Sequence, residues 1–260
     1  MGMPEKAVAY IELEDYLVLE NASQHKHEYL QGVIYAIQGE TTRAMAGGSA
    51  AHADLIRNIG FSLHTRLRGS PCSVKMTEMR LRIAAADAVF YPDVLVHCEP
   101  TADPVHTMEL TEARLVVEVL SPGTQQFDRG AKLQAYRQLP GLQHIVLLSS
   151  QEQAAWACHR VPATAEWSPL QPWPRGTVLP LEGLGLSLPW GEVYDGVGLA
   201  CSERGALTSG RLQPGRSAAA SSGAAASLGA THGAPRPGGS GQSMPIAGSS
   251  QRMLRSQARA

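Results

Sequence analysis

Apolar positions in the first 200 residues recur at two spacings, and the changes between them mark the elements. At intervals of three and four, Leu13, Tyr16 and Leu17 mark a short helix over Ile11 to Asn21. Leu55, Ile56, Ile59, Leu63 and Leu67 mark a longer one, from about His52 to Leu67. Short apolar or alternating runs bounded by turn residues mark strands. His27–Leu30 and Val33–Ile37 turn at Gln31-Gly32, and Ser73–Ile83, Tyr91–Cys98 and Arg114–Leu120 follow. Ser121-Pro122-Gly123 stops the last of these. Asp128 is an N-cap candidate for a helix to about Leu139, which Pro140-Gly141 ends. His144–Leu148 and Ala154–Val161 read as two more strands, and Leu181 to Tyr194 as a closing run of loop and short strand.

The central order is helix, strand, strand, strand, helix, strand. The link from the Glu118 strand through a helix to the His144 strand has the length of a crossover between parallel strands. The preceding strands can pair as hairpins. An α/β (α+β) domain follows, with a mixed central β-sheet flanked by helices.

Composition limits that domain to about residues 1–200. Residues 201–260 are rich in Gly, Ala, Ser, Pro and Arg and contain no aromatic residue. They cannot bury enough apolar surface to offset the entropy of ordering, so a disordered tail is expected. The tail holds seven Arg against one Glu, a net of +6, which leaves −7 on residues 1–200. An acidic domain lacks the basic footprint usual for nucleic-acid binding. Cys72, Cys98, Cys158 and Cys201 lie far apart without metal-ligand spacing, which predicts a reducing compartment and plain packing roles. Met1-Gly2-Met3-Pro4 begins no apolar signal core, and no apolar run has membrane-spanning length. A cytoplasmic protein without membrane contact is the expectation.

Two carboxylates stand out against their surroundings. Phe90-Tyr91-Pro92-Asp93-Val94-Leu95-Val96 and Leu115-Val116-Val117-Glu118-Val119-Leu120 each set one acid in an apolar run. An ionised carboxylate in such a setting costs several kcal/mol unless a cation or donors meet it, and two neighbouring ones repel. A hard divalent cation between them resolves both problems. The plainer alternatives are a turn cap for Asp93 and an ion pair with Arg80 or Arg82 for Glu118. Glu28, beside His25, Lys26 and His27, fits a solvated polar stretch equally well. Gly47-Gly48-Ser49 lacks the Lys-Ser/Thr of a phosphate loop.

Several motifs in order resemble the Uma-type restriction endonuclease family of the PD-(D/E)xK nuclease superfamily. They are His27-Glu28-Tyr29-Leu30-Gln31-Gly32, His52 at a helix start, Pro92-Asp93, Glu118-Val119-Leu120-Ser121-Pro122, Asp128-Arg129-Gly130-Ala131-Lys132, Tyr136 and Leu139-Pro140. The resemblance spans roughly residues 10–198. It implies a restriction-endonuclease-like fold and a catalytic set of Asp93, Glu118, Lys132 and Glu28. Asp93 and Glu118 would hold Mg2+ (or Mn2+), with Glu28 a further metal or water ligand. The implied substrate is nucleic acid, DNA in the first instance, and a homodimer would supply two sites for cutting both strands.

The family places its lysine two residues after the acid, where this chain has Leu120. Lys132 is the natural substitute, since a long side chain on the next helix can reach back toward the strand end. It shares a helix face with Ala135, Tyr136 and Leu139. His52 reads as a polar helix-start residue, His97 as a strand-end histidine, Asp128 as a cap and Tyr136 as packing. The apolar Leu120 and the acidic domain charge keep a second reading open, a catalytically inactive nuclease-fold protein that binds nucleic acid or a protein partner. A hydrolase acting on a small phosphoester is a third.

Overall fold

Residues 10–37 and 49–200 are described in the computed structural model. The expected tail, 201–260, lies outside the described residues. The chain opens with α1 (Leu13–Ala22) and the hairpin β1 (His27–Leu30) and β2 (Val33–Ala36). Gln31 and Gly32 both take positive φ, 48° and 81°, as a tight two-residue hairpin turn requires. Then comes α2 (Ala50–Arg66), whose first turn is capped by Ser49 Oγ accepting the His52 backbone N–H at 3.2 Å.

A bulged hairpin follows. Its arms are β3 (Ser73–Met76) with β4 (Arg80–Ile83), and β5 (Ala88–Phe90) with β6 (Val94–His97). A short β7 (Glu109–Leu110) precedes β8 (Leu115–Leu120). A continuous helical run comprises α3 (Gln125–Phe127), a π-helical turn (Asp128–Lys132) and α4 (Leu133–Tyr136). The described residues end with β9 (His144–Ser149), β10 (Ala155–His159), β11 (Gln171–Pro172), the hairpin β12 (Val178–Leu181) and β13 (Leu186–Pro189), and α5 (Trp190–Val193).

The expected mixed sheet is six-stranded, in the order β11-β10-β9-β8-β6-β3. Its β8 and β9 run parallel and its other pairs antiparallel, so the helical run is the crossover that the sequence implied. A second sheet, β2-β1-β5-β4-β7, was not foreseen. The reason lies in the bulged hairpin. Ser73 pairs with His97 and Met76 with Val94, whereas Leu81 pairs with Phe90. One extra residue therefore sits on the first arm around Thr77, whose φ is 56°. Such a bulge bends a strand pair, and here it carries both arms from one sheet into the other. The strand expected over Ser73–Ile83 is broken at this bend, and the one expected over Tyr91–Cys98 begins past it, at Val94. Asp93 lies on the bend.

Alternation then distributes the apolar side chains between two cores. Val94, Val96, Leu115, Val117, Val119, Val146 and Leu148 face α2, with Leu55, Ile59 and Leu63, and the C-terminal Leu188 and Trp190. Leu95, Val116, Leu120, Ile145 and Leu147 face the second sheet, with Leu81, Ile83 and Phe90, and the helical run, with Leu133 and Tyr136. A smaller cluster joins Tyr16 of α1 to Tyr29 and Val89.

The cysteine reading needs correction. Cys72 and Cys98 form a disulfide at the outer end of β3 and β6, next to the paired Ser73 and His97, rather than packing as free thiols. Cys158 is free and buried, and Cys201 lies outside the described residues. Among the described residues, no helix is long and apolar enough to cross a membrane.

Candidate functional site

The register of β6 with β8 decides where the two acids fall. Val94 pairs with Val117, so Asp93, the residue before β6, comes beside Glu118. Parity puts Glu118 on the face that carries Val116 and Leu120, and Asp93, on the bend before β6, lies at the edge of that face, where its carboxylate reaches the Val119 N–H. Glu28 approaches from the opposing sheet. Its neighbour Tyr29 points to α1, which turns Glu28 toward the space between the sheets.

Lys132 fills that space. Its Nζ lies 2.6 Å from Glu28 Oε1, 3.0 Å from Glu118 Oε1 and 3.7 Å from Asp128 Oδ1. Tyr136, one turn further on, donates its hydroxyl to Glu118 Oε1 at 2.5 Å. Both Glu118 contacts fall on Oε1. Asp93 Oδ2 accepts the Val119 backbone N–H at 2.7 Å, while Oδ1 faces His52 Nε2 at 3.3 Å. Glu28 Oε1 also accepts the Tyr91 backbone N–H at 3.3 Å.

Burial makes this cluster costly. Glu118 is 3% exposed, Lys132 4%, Asp128 5% and Glu28 8%. Three carboxylates surround one ammonium, and the charge of a fourth, Asp93, acts on Glu118 and Asp128. Burial opposes the Lys132 charge, but Glu118, Glu28 and Asp128 outweigh it and hold the amine well above the ordinary lysine range. Burial likewise pushes Glu118 well above the carboxylate range. Lys132 pulls it down, and Asp93, Asp128 and Glu28 push it up again. Asp128 is raised by burial too, against Lys132. Lys132 is thus held in its charged form, while burial and the neighbouring acids work against the charge on Glu118. Burial lowers the His52 imidazole, but Asp93 more than compensates and raises it.

This shortage of positive charge is what a divalent cation would relieve. The oxygens of Asp93, Glu118 and Glu28 are hard donors of the kind that magnesium and manganese take. Among the described residues, no three His, Cys, Asp or Glu side chains converge on one metal position. Two carboxylates suffice for magnesium when water and phosphate supply the rest.

The structure thus brings together Asp93, Glu118, Glu28 and Lys132, and it adds three residues assigned plainer roles in the sequence. Asp128 is not the N-cap. Its N–H donates to Thr124 O at 2.9 Å, so it lies inside the helical run, and its carboxylate faces Lys132. Tyr136 packs in the core and also binds Glu118. The four-residue spacing of Asp128, Lys132 and Tyr136 puts them on one helical face, a signal that was available. His52 had no such local signal, and its place depends on how α2 crosses the sheet. Arg80 and Arg82 do not pair with Glu118. Arg80 is buried where its charge acts on Tyr16 and Tyr91. His97 is a strand-end histidine, with Nδ1 3.0 Å from Glu112 O and Nε2 3.2 Å from Thr101 Oγ1.

Comparison with known proteins bears on the family and the fold. The chain is 33% identical over 184 residues to the uncharacterized protein slr1290 of Synechocystis sp., covering 71% of this chain and 91% of that one. It is also 33% identical over 148 residues to sll1609 of the same organism, covering 56% of this chain and 76% of that one. A crystal structure titled a putative nuclease belonging to DUF820, from Anabaena variabilis, superposes with a TM-score of 0.54. That match has 18% identity and covers 71% of this chain and 97% of the other, so it speaks for the fold. Residues 13–191 match the Uma2 model, described as putative restriction endonuclease, and the chain belongs to that family.

Proposed function

We propose that this protein is an endonuclease hydrolysing nucleic-acid phosphodiester bonds, DNA in the first instance, with magnesium or manganese held by Asp93 and Glu118. One observation carries the reading. Asp93, the residue before β6, comes beside Glu118 of β8 closely enough for its charge to act there, and Lys132 Nζ lies 3.0 Å from Glu118, in a cluster short of positive charge. When bound, such an ion polarises the scissile phosphate and lowers the pKa of an attacking water.

The side chains divide the remaining work. The Val119 N–H fixes Asp93 through Oδ2, and Tyr136 fixes Glu118 through Oε1. Asp93 and Glu118 would hold the ion through their carboxylates, with Asp93 Oδ1 exchanging or sharing its contact with His52. Lys132 keeps its proton and sets a positive charge where the phosphate gains negative charge. Glu28 anchors Lys132 from the opposite sheet and serves as the further acid through water. Cutting both strands takes two such sites, for which a homodimer is the simplest arrangement.

Digestion of plasmid DNA with and without magnesium tests this reading, alongside Asp93→Ala, Glu118→Ala and a small phosphodiester. Magnesium-dependent cleavage of DNA by the wild type alone is expected. Equal activity in all three proteins, or cleavage of only the small ester, contradicts it.

A further inference from the structure

The pair of acids begins a longer row across the sheet. Glu118 is in register with Leu147 of β9, and Leu147 with Trp156 of β10. Leu147 and Trp156 belong to the core on the Glu118 face. Two strand spacings of about 4.8 Å put Trp156 roughly 10 Å from Glu118. Over the Trp156 ring lies the Arg129 guanidinium, 3.6 Å from the ring centroid. Arg129 comes from the same π-helical turn that turns Asp128 and Lys132 toward the carboxylates.

This guanidinium is otherwise unused. Among the described residues no carboxylate pairs with it and no hydrogen bond engages it. Burial alone acts on it and lowers its pKa, whereas Arg66, bound by Glu192, is raised. A half-buried arginine without an acceptor forfeits hydration and gains only the stack. Stacking also holds the planar donor fork in one orientation, which suits bidentate binding of phosphate. The surrounding domain is acidic, at −7 over residues 1–200, so a polyanionic substrate needs a cation of this kind beside the carboxylates.

We propose that Arg129, laid flat on Trp156, binds a backbone phosphate of the nucleic-acid strand to one side of the bond that is cut. A separation of roughly 10 Å places that phosphate near the scissile one along the same strand. This assignment rests on the nuclease reading of the adjacent acids, and its test does not need catalysis.

The test is fluorescence anisotropy of a short labelled DNA duplex in EDTA over a series of salt concentrations. The proteins are the full-length wild type, Arg129→Ala, Arg129→Lys and Asp93→Asn. Arg129→Ala is expected to bind about tenfold more weakly. The slope of log affinity against log salt should fall by about 1, the signature of one lost phosphate contact. Arg129→Lys keeps the charge, and hence the slope, but loses affinity with the planar fork. It also guards against a folding defect in the alanine variant. Wild-type affinity and slope in both Arg129 variants, or no duplex binding by the wild type, overturns the proposal. Binding through Arg129 without magnesium-dependent cleavage would count against the nuclease reading alone. Cleavage that ignores Arg129 would count against the phosphate site alone.

Discussion

Lys132 and Glu118 form a buried ion pair, 3.0 Å from Nζ to Oε1, between the helical run and β8. Leu120, which shares Glu118's face, stays in the apolar core at 3% exposure. The positive charge thus reaches the acid from the helix. Lys132→Met leaves Glu28 and Glu118 buried without their cation, and breaking a buried pair in this way costs about 3–5 kcal/mol. Urea unfolding of metal-free protein measures it, with Lys132→Arg losing less. A loss below about 1 kcal/mol, the range of exposed pairs, would show that the carboxylates do not depend on this amine.

Tyr136 gives Glu118 its hydroxyl donor. Tyr136→Phe keeps the packing against Phe90, whose ring centroid is 5.3 Å away, and removes only that donor. A buried acceptor losing its donor costs about 1–3 kcal/mol. The variant should melt lower and cleave DNA more slowly. Unchanged melting and unchanged cleavage would mean that the contact contributes nothing.

A second buried group sets an acid limit far from the carboxylates. Burial, and then His159, hold the His144 imidazole down at about 4 from 6.5, and His144 Nε2 accepts the Gly183 N–H at 3.3 Å. Between these values the unfolded chain takes up a proton that the folded chain refuses. Stability is therefore full above about pH 6.5 and falls as the pH drops toward about 4. The loss is on the order of 3 kcal/mol. His144→Gln should flatten stability over that window in urea titrations at stepped pH. An unchanged slope would assign the acid sensitivity elsewhere.

The disulfide joins the outer ends of β3 and β6, the strand that Asp93 precedes, across a separation of 26 residues. Closing a loop of that size stabilises by about 3 kcal/mol in the chain-entropy treatment. Dithiothreitol should lower the melting temperature of the wild type and leave Cys72→Ala unaffected. Equal response in both would show that the bond is not formed in solution.

These residues differ in how far the sequence exposed them. The three- and four-residue spacing of Leu55, Ile59 and Leu63 and the apolar run around Glu118 report burial directly, so α2, β8 and the isolated acid were legible. The one-residue bulge at Thr77 was not, because alternation resumes on either side and the shift shows only once Leu81 has found Phe90. That single residue separates two sheets and puts Asp93 on the bend. Cys72 opposite Cys98 depends on the same long-range register. The place of Asp128 was legible, since its four-residue spacing to Lys132 and theirs to Tyr136 sets all three on one helical face. His52 meets Asp93 only through tertiary packing, which no local pattern carries.

Calorimetric titration of manganese or magnesium into metal-stripped wild type, Asp93→Asn and Glu118→Gln tests the central claim most directly. Saturable binding to the wild type is expected, with each variant at least about tenfold weaker while its melting temperature holds or rises, one carboxylate charge in the cluster being removed. Equal metal binding by all three proteins, or none by the wild type, would contradict it.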